Sequence, residues 1–218
     1  MRQTRRTFLA SASVVATAAV AGCGQITGEE PLEFESTPAE VPGDVLEESG
    51  YEELERDEIE LERTFEAAGE ERTVTVTNWQ VSYEKETDSD LGLDDDFPRA
   101  VFTTVTTPQV DILGQQLNPV GGMDNEEFVE RAQEQYGGLE DIEPDEEDTR
   151  TVLGEETTRT RFTATADFNG SDVDVFAHVS NPVGNDGDFV ATVGGHPQQL
   201  PDEESDILTM MESIRHGE

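Results

Sequence analysis

The sequence predicts an α+β fold, an antiparallel sheet of about seven strands with two main helices packed on it. Three observations predict it. Apolar residues alternate with polar ones in several stretches, as at Val173, Val175, Ala177 and Val179. Asn169-Gly170 separates two such stretches, and Asn-Gly is a favoured two-residue hairpin turn because both positions tolerate positive φ. Elsewhere the spacing becomes helical. Phe128, Ala132 and Tyr136 recur at intervals of four, and Ile207, Leu208, Met210, Met211 and Ile214 form a second apolar face.

Taken in order, a short helix is expected over Gly43–Ser49, stopped by Gly50. Ile59, Leu61 and Phe65 alternate with Glu58, Glu60 and Glu62 in a first strand, and residues 67 to 71, with Gly69, form a hairpin loop. The second strand spans residues 72 to 84. Its apolar parity shifts near Asn78, between Val74 and Val76 on one side and Trp79, Val81 and Tyr83 on the other, which predicts a β-bulge. Residues 87 to 96 form an acidic loop, and the β-branched run from Arg99 to Thr107 forms a buried strand stopped by Pro108. Asp124 and Glu127 match a capping box at the start of a helix that Gly137-Gly138 ends. After a second acidic loop come strands at 149–155, 158–168, 172–180 and 189–193, then a helix over 202–215. Short links between the late strands predict antiparallel pairing.

Composition restricts the function classes. The chain of 218 residues carries 13 basic and 51 acidic side chains, a formal net charge of −38, and Lys85 is its one lysine. Nucleic acid is excluded as a partner, because phosphate binding needs clustered cations. Docking on anionic lipid by charge alone is excluded for the same reason. A hydrophobic fraction of 33% and ten phenylalanines argue for a folded domain over a disordered one. The expectation is a salt-adapted domain, since the Debye length falls to roughly 3 Å at 1 M salt and self-repulsion is screened.

The first residues carry the clearest signal. Arg5 and Arg6, a spacer, then Phe8 and Leu9 look like the twin-arginine export signal. The apolar run from Phe8 to Ala21 has fourteen residues, too few to cross a bilayer core of roughly 30 Å as a helix. It is therefore expected to be the core of a signal peptide. Val20-Ala21-Gly22-Cys23 resembles a lipobox, with small residues before the sole cysteine of the chain. Cys23 is the expected lipidation site, since stable anchoring needs two acyl chains and a lipidated cysteine supplies them. The expected organisation is a signal peptide over 1–22, a flexible tether over 23–42 rich in Gly and Pro, and a single α+β domain over 43–218. Loss of the signal removes three arginines and no acids, so the mature domain is more acidic still.

Other candidate sites are weaker. His178, His196 and His216 are the only histidines; they lie in a strand, in a loop before Pro197 and near the C-terminus, with no spacing suited to zinc. There is no Gly-x-Ser-x-Gly elbow and no Walker pattern, and carboxylates are too common here for pairs to be informative. No catalytic residue, metal site or cofactor is therefore assigned. Asp88, Asp90, Asp94, Asp95 and Asp96 surround Gly92, but the spacing misses the EF-hand pattern, so a solvated loop is expected ahead of a calcium site. Asn169-Gly170-Ser171 matches an N-glycosylation acceptor. Trp79 and Tyr83 are expected in the core, with a binding surface as the alternative.

The twin-arginine start, the lipobox at Cys23 and the segments at Thr106–Gly121, Thr151–Ala164 and Asp188–Pro197 resemble a family of haloarchaeal lipoproteins known only as a domain of unknown function, type 6517. The resemblance implies a halophilic archaeal cell surface and carries no activity. The order helix, antiparallel strands, closing helix in the C-terminal half also looks like the PsbP type of fold, which serves mostly in binding and assembly. These implications lead to a lipid-anchored, extracytoplasmic, non-enzymatic module that meets the membrane through Cys23 and an unknown envelope protein or ligand. The alternative is an extracellular hydrolase with an unrecognised carboxylate site.

Overall fold

A computed structural model describes residues 32–217 except 68–69, 87–99, 113–114, 137–138 and 169–170. The segment 1–31, the acidic loop at Asp88–Asp96 and the acceptor Asn169 lie outside the described residues. So do Arg5, Arg6, Phe8, Leu9 and Cys23.

The strands are β1 (Leu32–Glu35), β2 (Ala39–Glu40), β3 (Glu52–Ala67), β4 (Glu70–Lys85), β5 (Ala100–Pro108), β6 (Asp111–Ile112), β7 (Gln115–Gln116), β8 (Leu139–Val152), β9 (Glu155–Phe168), β10 (Ser171–Ser180), β11 (Val183–Asn185), β12 (Asp188–Pro197) and β13 (Arg215–His216). The helices are α1 (Gly43–Ser49), α2 (Asn125–Tyr136) and α3 (Glu203–Ser213). Seven long strands form one sheet in the order β3-β4-β5-β12-β10-β9-β8, all antiparallel, and β1 and β11 bring it to nine.

The seven expected strands are the seven long ones. The two additions are short. β1 lies inside the segment expected to be a tether, so residues 32–42 belong to the domain. It pairs in parallel with Val74–Thr77, while β5 pairs with Trp79–Lys85 and β3 pairs along the whole of β4. β1 and β5 therefore share one edge of β4, end to end. Ser36 closes the junction, its hydroxyl donating to the Thr77 carbonyl at 2.9 Å. A four-residue strand between prolines carries too little pattern to stand out in sequence.

The second correction concerns residues 139–148, expected to be an acidic loop. They form the first part of β8, paired with β9 and interrupted by two register shifts. β8 is the sheet edge, and acids, a proline and irregular register are what discourage an exposed edge from pairing with another chain. The third concerns Asn78. The β3–β4 register runs unbroken past it, and the only shift in that pair lies at Glu53/Glu55. With no bulge, the change of parity means that the apolar side of β4 changes face along its length.

Helices cover both faces of the sheet. On one face Val81, Tyr83, Phe102 and Val190 pack with Ile207, Met210, Met211 and Ile214 of α3, with α1 alongside through Val45 and Leu46. On the other, Phe128 and Val129 of α2 pack over Phe162, Ala177 and Val179. The capping box of α2 is present: the Glu127 N–H donates to Asp124 Oδ1 at 2.9 Å and the Asp124 N–H to Glu127 Oε2 at 3.3 Å. Two tight turns need positive φ, Leu153-Gly154 (φ 52° and 82°) and Asp186-Gly187 (φ 46° and 89°), as two-residue hairpins require.

Contact between α3 and the sheet depends on Gly194. A Cβ there would sit 2.4 Å from Ile207 Cγ2, and Ile207 is fully buried. Gly194→Ala is expected to push α3 outward and cost about 1–3 kcal/mol, as overpacking does. A lowered denaturant midpoint with an unchanged slope would be the signature.

Candidate functional site

Lys85, Arg150, Arg159 and Arg161, on β4, β8 and β9, are spread along the side of the sheet that α3 covers. Each reaches a carboxylate on that helix. Lys85 Nζ lies 3.0 Å from Glu203 and 2.9 Å from Asp206. Arg159 and Arg161 both hold Glu204, the latter at 3.0 Å. Arg150 lies 3.4 Å from Glu212. β8 adds Asp148, 3.6 Å from Arg159, and Asp145, 2.7 Å from Arg161. In a chain with so few cations, four of them pair with one acidic helix, and of these Arg159 is buried while the other three are partly exposed.

Two histidines complete the cluster. His178 on β10 and His196 on β12 are 0% and 2% exposed, and their rings stack at 5.1 Å. Hydrogen bonding sets their tautomers. A guanidinium only donates, so His178 Nδ1 accepts from Arg159 Nη2 at 2.6 Å. His196 Nδ1 faces the Pro197 carbonyl at 2.9 Å and must donate. Its Nε2 therefore accepts from His178 Nε2–H at 3.1 Å. Both rings are neutral in this arrangement. Burial, then Arg159, His196 and Arg161, pushes the His178 pKa down to about 2. Burial also lowers His196, although the Pro197 carbonyl and Glu204 act the other way. Burial opposes the charge on Lys85, but hydrogen bonds from its ammonium to Asp206 and Glu203 outweigh that and hold its pKa above the ordinary value.

The chemistry this cluster supports is docking and rigidity. Its histidines are shut off from solvent, and each ring nitrogen is engaged. Among the described residues the two carboxylates with displaced pKa, Glu53 and Asp148, both go down. Glu53 does so through its hydrogen bond from Arg56. At Asp148 burial works upward, but Arg150 and Arg159 outweigh it. A general acid working near neutral pH needs the opposite displacement. Among the described residues no group of three or more His, Cys, Asp or Glu side chains is arranged to hold a metal.

Sequence reasoning missed this cluster. His196 was expected in a loop, but β12 continues through Pro197 and pairs Phe176 with His196. The available signal was strand parity. His178 falls on the side opposite Val173, Val175, Ala177 and Val179, so it had to face the other layer. His216 is a separate case. It is buried on β13, which pairs with β2, and its Nε2 lies 3.0 Å from Asp188 Oδ2 while Nδ1 faces Asn185 Oδ1 at 2.9 Å. The Thr37 N–H donates to the same Asp188 oxygen at 2.9 Å, so the two ends of the domain are tied through one carboxylate. Tyr83 is core, its hydroxyl accepting from the Val41 N–H at 3.0 Å. Trp79 is half-buried.

Fold and cluster together define an α+β domain whose acidic closing helix is clamped to a mixed, mainly antiparallel sheet. The chain belongs to a domain family of unknown function, DUF6517, whose model matches residues 38–215. That description names no reaction. No curated protein matches the chain. Among solved structures it is similar to the solution structure of cyanobacterial PsbP (CyanoP) from Synechocystis sp. PCC 6803, with a TM-score of 0.38 and 14% identity over 91% of this chain and 99% of that one.

Proposed function

We propose that this chain is exported, lipidated on Cys23 and held at the outer face of the cytoplasmic membrane of a halophilic archaeon, where its domain serves as a non-enzymatic binding or accessory module. The observation that carries this reading is the position of the sole cysteine. It follows Val20-Ala21-Gly22 and a fourteen-residue apolar run that itself follows Arg5, Arg6, Phe8 and Leu9. Acidity with a single lysine supports the salty setting. The domain starts close behind the cysteine, with Leu32 only nine residues on. The held-down carboxylates and the sealed histidine pair favour a module over a hydrolase.

Fractionation in molar salt tests the anchor. The parent protein is expected in the membrane fraction, with an intact mass that starts at Cys23 and includes a lipid. Cys23→Ser is expected to leave that fraction. Equal retention of both proteins, or an uncleaved leader on the parent, would overturn the reading.

A further inference from the structure

β4 changes its apolar face beyond the end of β5, and the exchanged face forms a strip on the protruding part of the sheet. From Val74 to Val76 the apolar side chains point away from the α3 side. In register across three strands stand Leu32 and Phe34 on β1, Val74 and Val76 on β4, and Leu61 on β3, with Ile59 next in line; the positions of Arg63, opposite Val74, and of Asn78, opposite Ile59, bound the strip on the same face. Val74 in the middle strand is buried, Leu32, Phe34, Ile59 and Val76 are half-buried, and Leu61 is 40% exposed. None of the six belongs to the three packed apolar clusters. The reverse face carries Glu33, Glu35, Glu58, Glu60 and Glu62, all exposed. Over residues 32–35 of β1 and 58–62 of β3 the sheet is therefore amphipathic at a period of two, with the acids of these stretches on one side.

We infer that this strip is a membrane-contact surface, lying against the lipid that holds the protein. The inference rests on the lipid anchor at Cys23 proposed above. Two observations select lipid as the occupant. β1 supplies two of the six apolar residues, and it is the first strand after Cys23. Nine residues span at most about 30 Å when fully extended, so the anchor keeps the strip within that distance of the bilayer surface. The segregation of charge also fits. With the strip against the interface, the five glutamates turn toward water and none needs to be desolvated. This is the arrangement that amphipathic elements adopt at a membrane surface. A soluble partner would leave unexplained why the strip is borne by the strand nearest the anchor.

The experiment uses the full lipidated protein, purified from membranes and reconstituted in phosphatidylcholine vesicles in molar KCl. Neutral lipid removes any contribution from headgroup charge. With Cys23 occupied by lipid, Leu61→Cys and Glu60→Cys each offer one thiol for an environment-sensitive fluorophore, on opposite faces of β3. The expected result is a blue shift at position 61 and a loss of its emission when the vesicle lipids carry bromine on the upper acyl chain, with neither change at position 60. Protein that floats with the vesicles while both labels keep their emission would overturn the contact and leave the anchor standing. A label at 61 equally shielded from a water-soluble quencher without vesicles would assign the strip to another segment or a second copy, and would also overturn it. Protein that fails to float would sink the anchor, and the contact with it.

Discussion

Arg159→Met is expected to cost the fold about 2–3 kcal/mol, among the largest effects of any single exchange in the described domain, because it removes the buried partner of a part-buried ion pair together with the donor to a buried histidine. Methionine fills similar space, so the change tests charge and donors more than volume. Arg159 is 1% exposed. It donates to Glu204 and His178 and faces Asp148 at 3.6 Å. Its loss leaves His178 Nδ1 without that donor and leaves Glu204 to Arg161 alone. The helix carrying Glu204 then loses a clamp on its first turn. Unfolding by guanidinium in high salt measures the loss. Buried pairs can often be exchanged for apolar side chains together at little cost, so Arg159→Met with Glu204→Met should recover much of the stability lost by the single variant. If the double variant were as weak as the single one, α3 would be held by something other than this pair.

Acid should loosen the domain before its carboxylates protonate. His178 has a folded-state pKa of about 2 against an ordinary value of 6.5. Between these values the unfolded chain binds a proton that the folded chain refuses. Stability is therefore complete well above pH 6.5 and falls as pH drops through it, at a slope that approaches about 1.4 kcal/mol per unit for this one histidine once pH is a unit below. From pH 6.5 to 4.5 the expected loss is about 2 kcal/mol. His196 is lowered too, so it acts in the same direction. Denaturant unfolding at fixed salt across that range measures the slope. His178→Gln keeps an acceptor for Arg159 and removes the titration, so its profile should be flatter. Identical slopes in parent and variant would show that His178 is not the group responsible.

Much of the fold was legible because its long strands bury one face at a time. The alternation in β9, β10 and β12, the capping box of α2 and the apolar stripe of α3 are local patterns, and each matched an element. What misled the reading was also local. Residues 139–148 are so acidic that they look like a loop, and only pairing with β9 makes them a strand. The Asn78 region looked like a bulge because parity was taken to follow one core, whereas β4 crosses from a region covered by α3 to one that is not. The cluster under α3 was the least legible feature. His178 and His196 are 18 residues apart, and Arg159 and Glu204 are 45 apart, so no local spacing joins them.

By itself the sequence determined the chain's acidity, its class of fold, the order of its long elements and the position of its lone cysteine, since these depend on composition and on periods of a few residues. The tertiary structure alone decided that the helices take opposite faces, that β1 joins β4 in parallel, and that four cations and two histidines converge on α3. Those outcomes depend on which distant strands become neighbours, and register between strands is set by burial across the whole sheet.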